Sequence, residues 1–283
     1  MDDVVVIGGI FREIHQPERH VTVAGSGLTA ALISARFGAK TTLASYVGEE
    51  DAEIVRAMAE TVHLRLSLVE LPGASGTFVF GRDQSAYWPI YRPAEATPGR
   101  IIPAIPQSST IVAFGIPDFD PIDAGWFASV DKRATLIWDR QGWLSRARDA
   151  TAISRIPVSR RIFLANEEEA GDEFETSGAD LGRVMPPQGF ESAVIKKGAD
   201  GCIVFTAGGT STGEHVPAYP VDSKSTVGSG DVFMGAFAAS LSLGLSTVPA
   251  VKRANAAASS YLSSDRDPFS ENLLTSVERL TSR

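Results

Sequence analysis

The chain has 283 residues, 43% of them hydrophobic, enough for one large α/β domain or two small ones. A net charge of −8 and a pI near 5.1 argue against a protein that grips nucleic acid by charge. Cys202 is the sole cysteine, which excludes a disulfide framework and a cysteine zinc site, and the four histidines lack the H-x-x-x-H spacing of zinc hydrolases. The start, Met1-Asp2-Asp3, has no signal-peptide pattern, and no apolar run of about 18 residues is present. The expectation is a cytoplasmic protein with no membrane or nucleic-acid partner.

In chain order, Val4-Val5-Val6-Ile7 ends at Gly8-Gly9 and reads as a buried strand. Val21 to Ala24 leads into Gly25-Ser26-Gly27, and the Ala- and Leu-rich stretch 28–37 stops at Gly38, a helix with a glycine stop signal. A strand at 41–45 and a helix at 51–62 follow. Residues 76–92 alternate and turn at Arg82-Asp83, which predicts a β-hairpin, with Pro89, Pro93 and Pro98 breaking regular structure after it. Strands at 111–115 and 135–139 flank a predicted helix near 121–131, and 161–165 is a further strand. Alternating strands and helices imply right-handed βαβ units and a parallel sheet, with ligands beyond the strands' carboxyl ends. Asp139 lies at such an end, where a loop-capping role is the simpler reading. Residues 193–205 read as a hairpin, 254–260 as a small-residue helix, and the tail as a loop and an amphipathic helix.

Two glycine turns carry the chemistry. Gly25-Ser26-Gly27-Leu28-Thr29-Ala30 fits the dinucleotide fingerprint G-x-G-x-x-A between strand and helix, but the expected acidic residue at the end of the second strand is replaced by Ser45-Tyr46. That leaves an NAD- or FAD-binding oxidoreductase as one reading. The second turn, Ser225-Thr226-Val227-Gly228-Ser229-Gly230-Asp231, runs into the helix that begins near Val232. Its glycines permit close backbone approach, and the following helix directs unpaired N–H groups and its positive end at the turn, a good place for phosphate. Asp231 in the first turn can cap the helix or accept a proton from an attacking hydroxyl.

The second turn resembles the C-terminal signature of the ribokinase (PfkB) family of small-molecule kinases, close to D-T-x-G-A-G-D. The resemblance implies a ribokinase-like three-layer α/β/α sandwich with a mainly parallel central sheet and a small β lid. Residues 1–283 then form a single kinase domain, its reduced lid contributed by about 10–24 and 76–92. It implies an anion hole from the backbone of Gly228, Ser229 and Gly230, a catalytic base at Asp231, and Thr226 on the nucleotide side. The family's leading Asp, which helps hold a monovalent cation, is Ser225 here, so potassium dependence stays open.

Other family positions fall in order. The N-terminal signature G-G-x-G-x-N lies on Ala24 to Thr29, making Gly25, Ser26, Gly27 and Thr29 substrate-side residues, with Thr in place of Asn. Glu13 takes the position of the family's substrate-binding Asp. The N-x-x-E motif corresponds to Asn166 and Glu169, which in the family order the water shell of Mg²⁺ and the triphosphate. T-x-G-x-x-G corresponds to Lys196, Gly198 and Gly201, with lysine for threonine, and Asn255 matches an asparagine near adenine. The implied ligands are ATP and Mg²⁺, with a sugar or nucleoside as acceptor. Tyr87, Trp88 and Tyr91 suit substrate stacking, lid packing or the contact of a homodimer. A ligand-binding relative without activity is the third reading.

Overall fold

In a computed structural model of the protein, the described residues are 2–15, 20–80, 87–91, 108–114, 127, 130–140, 153–176, 180–184, 189–209, 213–223, 225–264 and 266–282. A nine-stranded sheet is built from β1 (Asp2–Ile7), β4 (Thr41–Gly48), β5 (Arg65–Leu71), β8 (Ser108–Phe114), β9 (Thr135–Asp139), β10 (Arg160–Asn166), β11 (Ser192–Lys196), β12 (Cys202–Thr206) and β13 (Glu214–Val216). The spatial order is β13-β12-β11-β10-β9-β8-β1-β4-β5. Every pairing from β11 to β5 is parallel, and β12 and β13 add an antiparallel edge. A second sheet, ordered β3-β2-β6-β7, is made of β2 (Phe11–His15), β3 (His20–Ala24), β6 (Thr77–Phe80) and β7 (Tyr87–Tyr91). Its strands come from the two segments expected to form the lid.

The apolar runs of the main sheet are continuous because both faces are covered. In β1, Val4 and Val6 enter one core while Val5 and Ile7 enter the other. The first core is filled by α1 (Ser26–Arg36), α2 (Ala52–Thr61) and the C-terminal helices α5 (Ser229–Ser242), α6 (Thr247–Ser263) and α7 (Asn272–Thr281). The second takes Ala170 and Leu181 from α3 (Glu167–Phe174) and α4 (Leu181–Val184), with Trp138, Phe163 and Phe190. The result is the expected three-layer α/β/α sandwich. α1 and α5 cross at backbone contact: a β-carbon on Gly235 would fall 2.3 Å from the carbonyl oxygen of Ala30.

The hairpin expected at 76–92 is β6 and β7, its turn lying outside the described residues, as does most of the helix expected near 121–131. Pro89 does not break β7. It pairs opposite Phe78 on an edge strand, where a missing N–H is tolerated, beside a register shift at Thr77/Phe78. The other two prolines are not among the described residues. β2, β5 and β13 were not foreseen. Each is short or at an edge, and in β5 Leu71 is buried while Leu66 and Leu68 are only partly covered.

Candidate active site

Parallel pairing puts the carboxyl ends of β1, β9, β10 and β11 on one edge of the sheet. Asp139 ends β9, Asn166 ends β10 and Lys196 ends β11. Lys196 Nζ donates to both oxygens of buried Asp139, at 3.0 and 3.4 Å. α5 begins at the same edge. Its N-cap, Gly228, is left-handed at φ 80°, ψ −13°, and among the described residues no side-chain hydrogen bond caps the helix. The nearest atom to a β-carbon built on Gly230 would be Lys196 Nζ, at 3.8 Å. An uncapped helix start, a glycine turn and an ammonium group therefore converge.

Half-buried Asp231 lies in that first helical turn. Burial, aided by the charges of Asp139, Glu13 and Glu169 and opposed by Lys196, pushes its carboxyl up to about 7. Burial likewise raises Asp139 to about 6, with Lys196 pulling it down and Glu169 pushing it up. Burial works to lower the Lys196 ammonium, but Asp139, Glu169 and Asp231 outweigh it, so it holds its proton more firmly than a free lysine. A carboxyl poised near neutrality beside a fixed cation suits proton abstraction.

The N-terminal glycine turn is packed differently. Gly25 has φ 118°, and a β-carbon on it would lie 2.7 Å from Gly9 O. One on Gly27 would lie 2.4 Å from the carbonyl carbon of Gly8, while the Gly27 amide donates to Gly9 O at 3.1 Å. Ser45 Oγ donates to Gly8 O at 2.5 Å. The turn thus welds the start of α1 to the end of β1; Ser26 is buried and Thr29 half-buried one turn on. This geometry corrects the dinucleotide reading. That fingerprint needs its first strand inside the parallel sheet, whereas β3 is an antiparallel edge strand of the small sheet.

Glu13 stands on β2 of the small sheet, close enough to Asp231 for its charge to act on that carboxyl. Its oxygen lies 3.5 Å from His15 Nε2. The adjacent Arg12 ties β2 to the main body, its Nε donating to Asp51 at 2.8 and 3.1 Å and Nη2 to Glu50 at 2.9 Å. Asp51 also accepts from the Ser75 amide at 2.8 Å.

Asn166 and Glu169 form a capping box at the start of α3: Asn166 Oδ1 accepts from the Glu169 amide at 2.8 Å, and Glu169 Oε2 from the Asn166 amide at 2.7 Å. The motif has a structural use, and the Glu169 charge also reaches Asp139, Lys196 and Asp231. Gly198 and Gly201 bracket a 3₁₀ turn after β11, at φ 58° and 89°. Gly201 and Asn255 meet at one place. A β-carbon on Gly201 would lie 2.2 Å from Val216 O, and Asn255 Nδ2 donates to the carbonyls of Val216 and Pro217 at 3.2 and 3.1 Å. Asn255 Oδ1 accepts the Cys202 thiol at 3.4 Å. Asn255 is thus bonded into the β12–β13 edge. Thr226 O accepts from the Ser229 amide and hydroxyl at 3.1 and 2.7 Å, which shapes the turn.

Asp231, Lys196, Glu169 and Glu13 are therefore gathered by the fold, and Asp139 joins them. Its place at a strand end was legible, but its pairing with a lysine 57 residues away was not. Tyr261 was also missed: its Oη would lie 2.7 Å from a β-carbon on Gly228.

Residues 139–266 match the sequence model of the pfkB family carbohydrate kinases. No curated protein matches the chain by sequence. Among solved structures, the chain is similar to a fructokinase double mutant from Vibrio cholerae O395 bound to fructose, ADP and potassium, at 16% identity and TM-score 0.77 over 100% of this chain and 98% of that one. It is similar to a protein from E. coli described as a ribokinase II, in complex with ATP and Mg²⁺, at 18% identity and TM-score 0.74 over all of both chains. Aminoimidazole riboside kinase from Salmonella enterica follows at 17% identity and TM-score 0.72, over 99% of this chain and 98% of that one. The fold is ribokinase-like. Within that fold the match to the pfkB family carbohydrate kinases spans residues 139–266.

Proposed function

We propose that the protein transfers the γ-phosphoryl group of ATP to a hydroxyl, preferably primary, of a sugar or sugar-like molecule. The observation that carries this is Asp231: a carboxyl raised to about 7, in the first turn of an uncapped helix, beside Lys196 and the Gly228–Gly230 turn. Asp231 takes the acceptor's proton, the freed oxygen forms the new bond to phosphorus, and the bond to ADP breaks. The amides of Gly228 and Gly230 and the Lys196 ammonium would face the charge on the transferring group, while the Ser229 amide is held by Thr226 O and shapes the turn.

The acidic character of this edge fits Mg²⁺, which keeps most of its waters and needs few carboxylates. Around one lysine, Glu169 opposes the ionisation of Asp139 and of Asp231, and Asp139 opposes that of Asp231. Glu169, through water, and Asn166 would hold the ion against the phosphates, where it would supply charge neutralisation. On the nucleotide side Gly198, Gly201 and Thr226 would approach ATP by backbone, with Asn255 fixing the wall behind it. On the acceptor side Glu13, Gly25, Ser26, Gly27 and Thr29 would bind hydroxyls. In this reading residues 1–283 act as one cytoplasmic kinase domain, and a lid from about 10–24 and 76–92 covers the acceptor.

The test is a panel of sugars and nucleosides assayed for ADP release with Mg-ATP. Turnover with a sugar supports the reading. Turnover confined to nucleosides replaces the acceptor class, and no acceptor-dependent ADP release overturns it.

A further inference from the structure

Ser225 stands just ahead of the Gly228–Gly230 turn, and its hydroxyl oxygen accepts two N–H groups. One is Nη1 of Arg266 at 3.1 Å, the other the Val227 amide at 3.3 Å. Arg266 follows α6 in a left-handed conformation, φ 60°, that is strained for a residue with a β-carbon. Glycine or asparagine would sit there more cheaply. Its amide donates to Tyr261 O at 3.1 Å, and Tyr261 is the residue whose Oη packs on Gly228. Arg266 therefore touches the turn by two routes, through its guanidinium to Ser225 and through its backbone to Tyr261. A guanidinium is permanently charged and directs several donors at once.

We infer that Arg266 is a positioning residue, a built-in cation behind the phosphate cradle that orders 225–228 and makes nucleotide binding independent of any added monovalent cation. The strained backbone is explained on this view: it aims the guanidinium at Ser225. The inference rests on the phosphoryl-transfer reading, and its test separates the two.

Mg-ATP is titrated by calorimetry into wild type, Arg266→Gly and Arg266→Lys, with potassium, sodium or tetramethylammonium as the sole monovalent cation, and melting temperatures are recorded alongside. Wild type should bind equally in all three. Arg266→Gly removes the charge while relieving the backbone, so it should melt no lower than wild type. It should bind about tenfold more weakly in tetramethylammonium, the effect of losing a charged hydrogen bond, and recover in part with potassium. Arg266→Lys should fall between. Wild-type affinity that rises tenfold with potassium, or Arg266→Gly binding like wild type in every buffer, overturns the inference alone. A wild type that does not bind Mg-ATP overturns the phosphoryl-transfer reading and this inference with it. Should the glycine variant melt lower, Arg266→Gln is judged by the same cation dependence, which a purely structural loss would not produce.

Discussion

The molecule starts two helices, α1 and α5, on the same face of the sheet with a glycine turn, and the two turns use glycine for opposite reasons. Around Gly25–Gly27 the neighbours of an added β-carbon are backbone atoms of Gly8 and Gly9, at 2.4–2.7 Å. Backbone cannot move aside, so these glycines weld α1 to β1. Around Gly228–Gly230 the neighbours are the tips of side chains, Tyr261 Oη and Lys196 Nζ, and at Gly230 the gap is 3.8 Å. The first turn is closed by backbone, while the second meets only the polar tips of two side chains. Of two similar glycine pairs, the one facing charge is the better candidate for chemistry.

The sharpest way to break this contrast is Asp231→Asn. The carboxyl is the group of the second turn proposed to take the proton, so kcat should fall by about 10²–10⁴-fold while Mg-ATP affinity stays within a few fold. Steady-state kinetics with the acceptor found in the panel, paired with calorimetry, would check it. Unchanged turnover removes the base assignment and leaves the turn a structural N-terminus.

One substitution placed in both turns comes next. Gly27→Ala must displace the Gly8 backbone and should lower stability by about 2–4 kcal/mol. Gly230→Ala meets no close contact, lies inside a helix start and should hold or gain up to about 1 kcal/mol. Its methyl group nevertheless points toward the Lys196 ammonium, so Mg-ATP binding should weaken. Denaturant melts and nucleotide titration of both variants decide the matter. Equal destabilisation of the two would erase the distinction between weld and cradle.

Much of this was legible in sequence because it is local. Val4–Ile7, 135–139 and 161–165 announce themselves as buried strands by unbroken apolar runs, and β11 and β12 by glycines between two such runs. Edge strands were less visible: β5 is half covered, and β2 holds Arg12 and Glu13 on a partly exposed sheet. The site divides in the same way. The Ser229–Asp231 helix start was readable from spacing, while the Asp139–Lys196 pair and the Arg266–Ser225 bond join residues 57 and 41 positions apart, which only the parallel sheet and the return of α6 bring together. Asn166 and Glu169 show the converse. Their three-residue offset at a helix start is the spacing of a capping box, so the motif has a complete local explanation beside the proposed role toward metal and nucleotide.

The smallest effect expected is on stability against pH, and it tests the charge at the second turn without any substrate. Asp231 rises from an ordinary 3.8 to about 7 and Asp139 to about 6, burial leading in both. Below about pH 4 these groups are protonated in folded and unfolded chains alike. As pH climbs from there to about 7 the unfolded chain releases protons that the folded chain still holds, so their contribution to stability falls and then levels. Asparagine at 231 cannot ionise, so Asp231→Asn should lose the part of that fall belonging to this residue and be more stable than wild type by about 1–3 kcal/mol at pH 8. Near pH 5 the two should agree more closely. Chemical denaturation of both proteins between pH 5 and 8 gives the difference, with titrating groups remote from residue 231 cancelling. A difference that stays flat with pH would mean Asp231 ionises as freely as a surface carboxylate, and the second turn would then lack the poised base that separates it from the first.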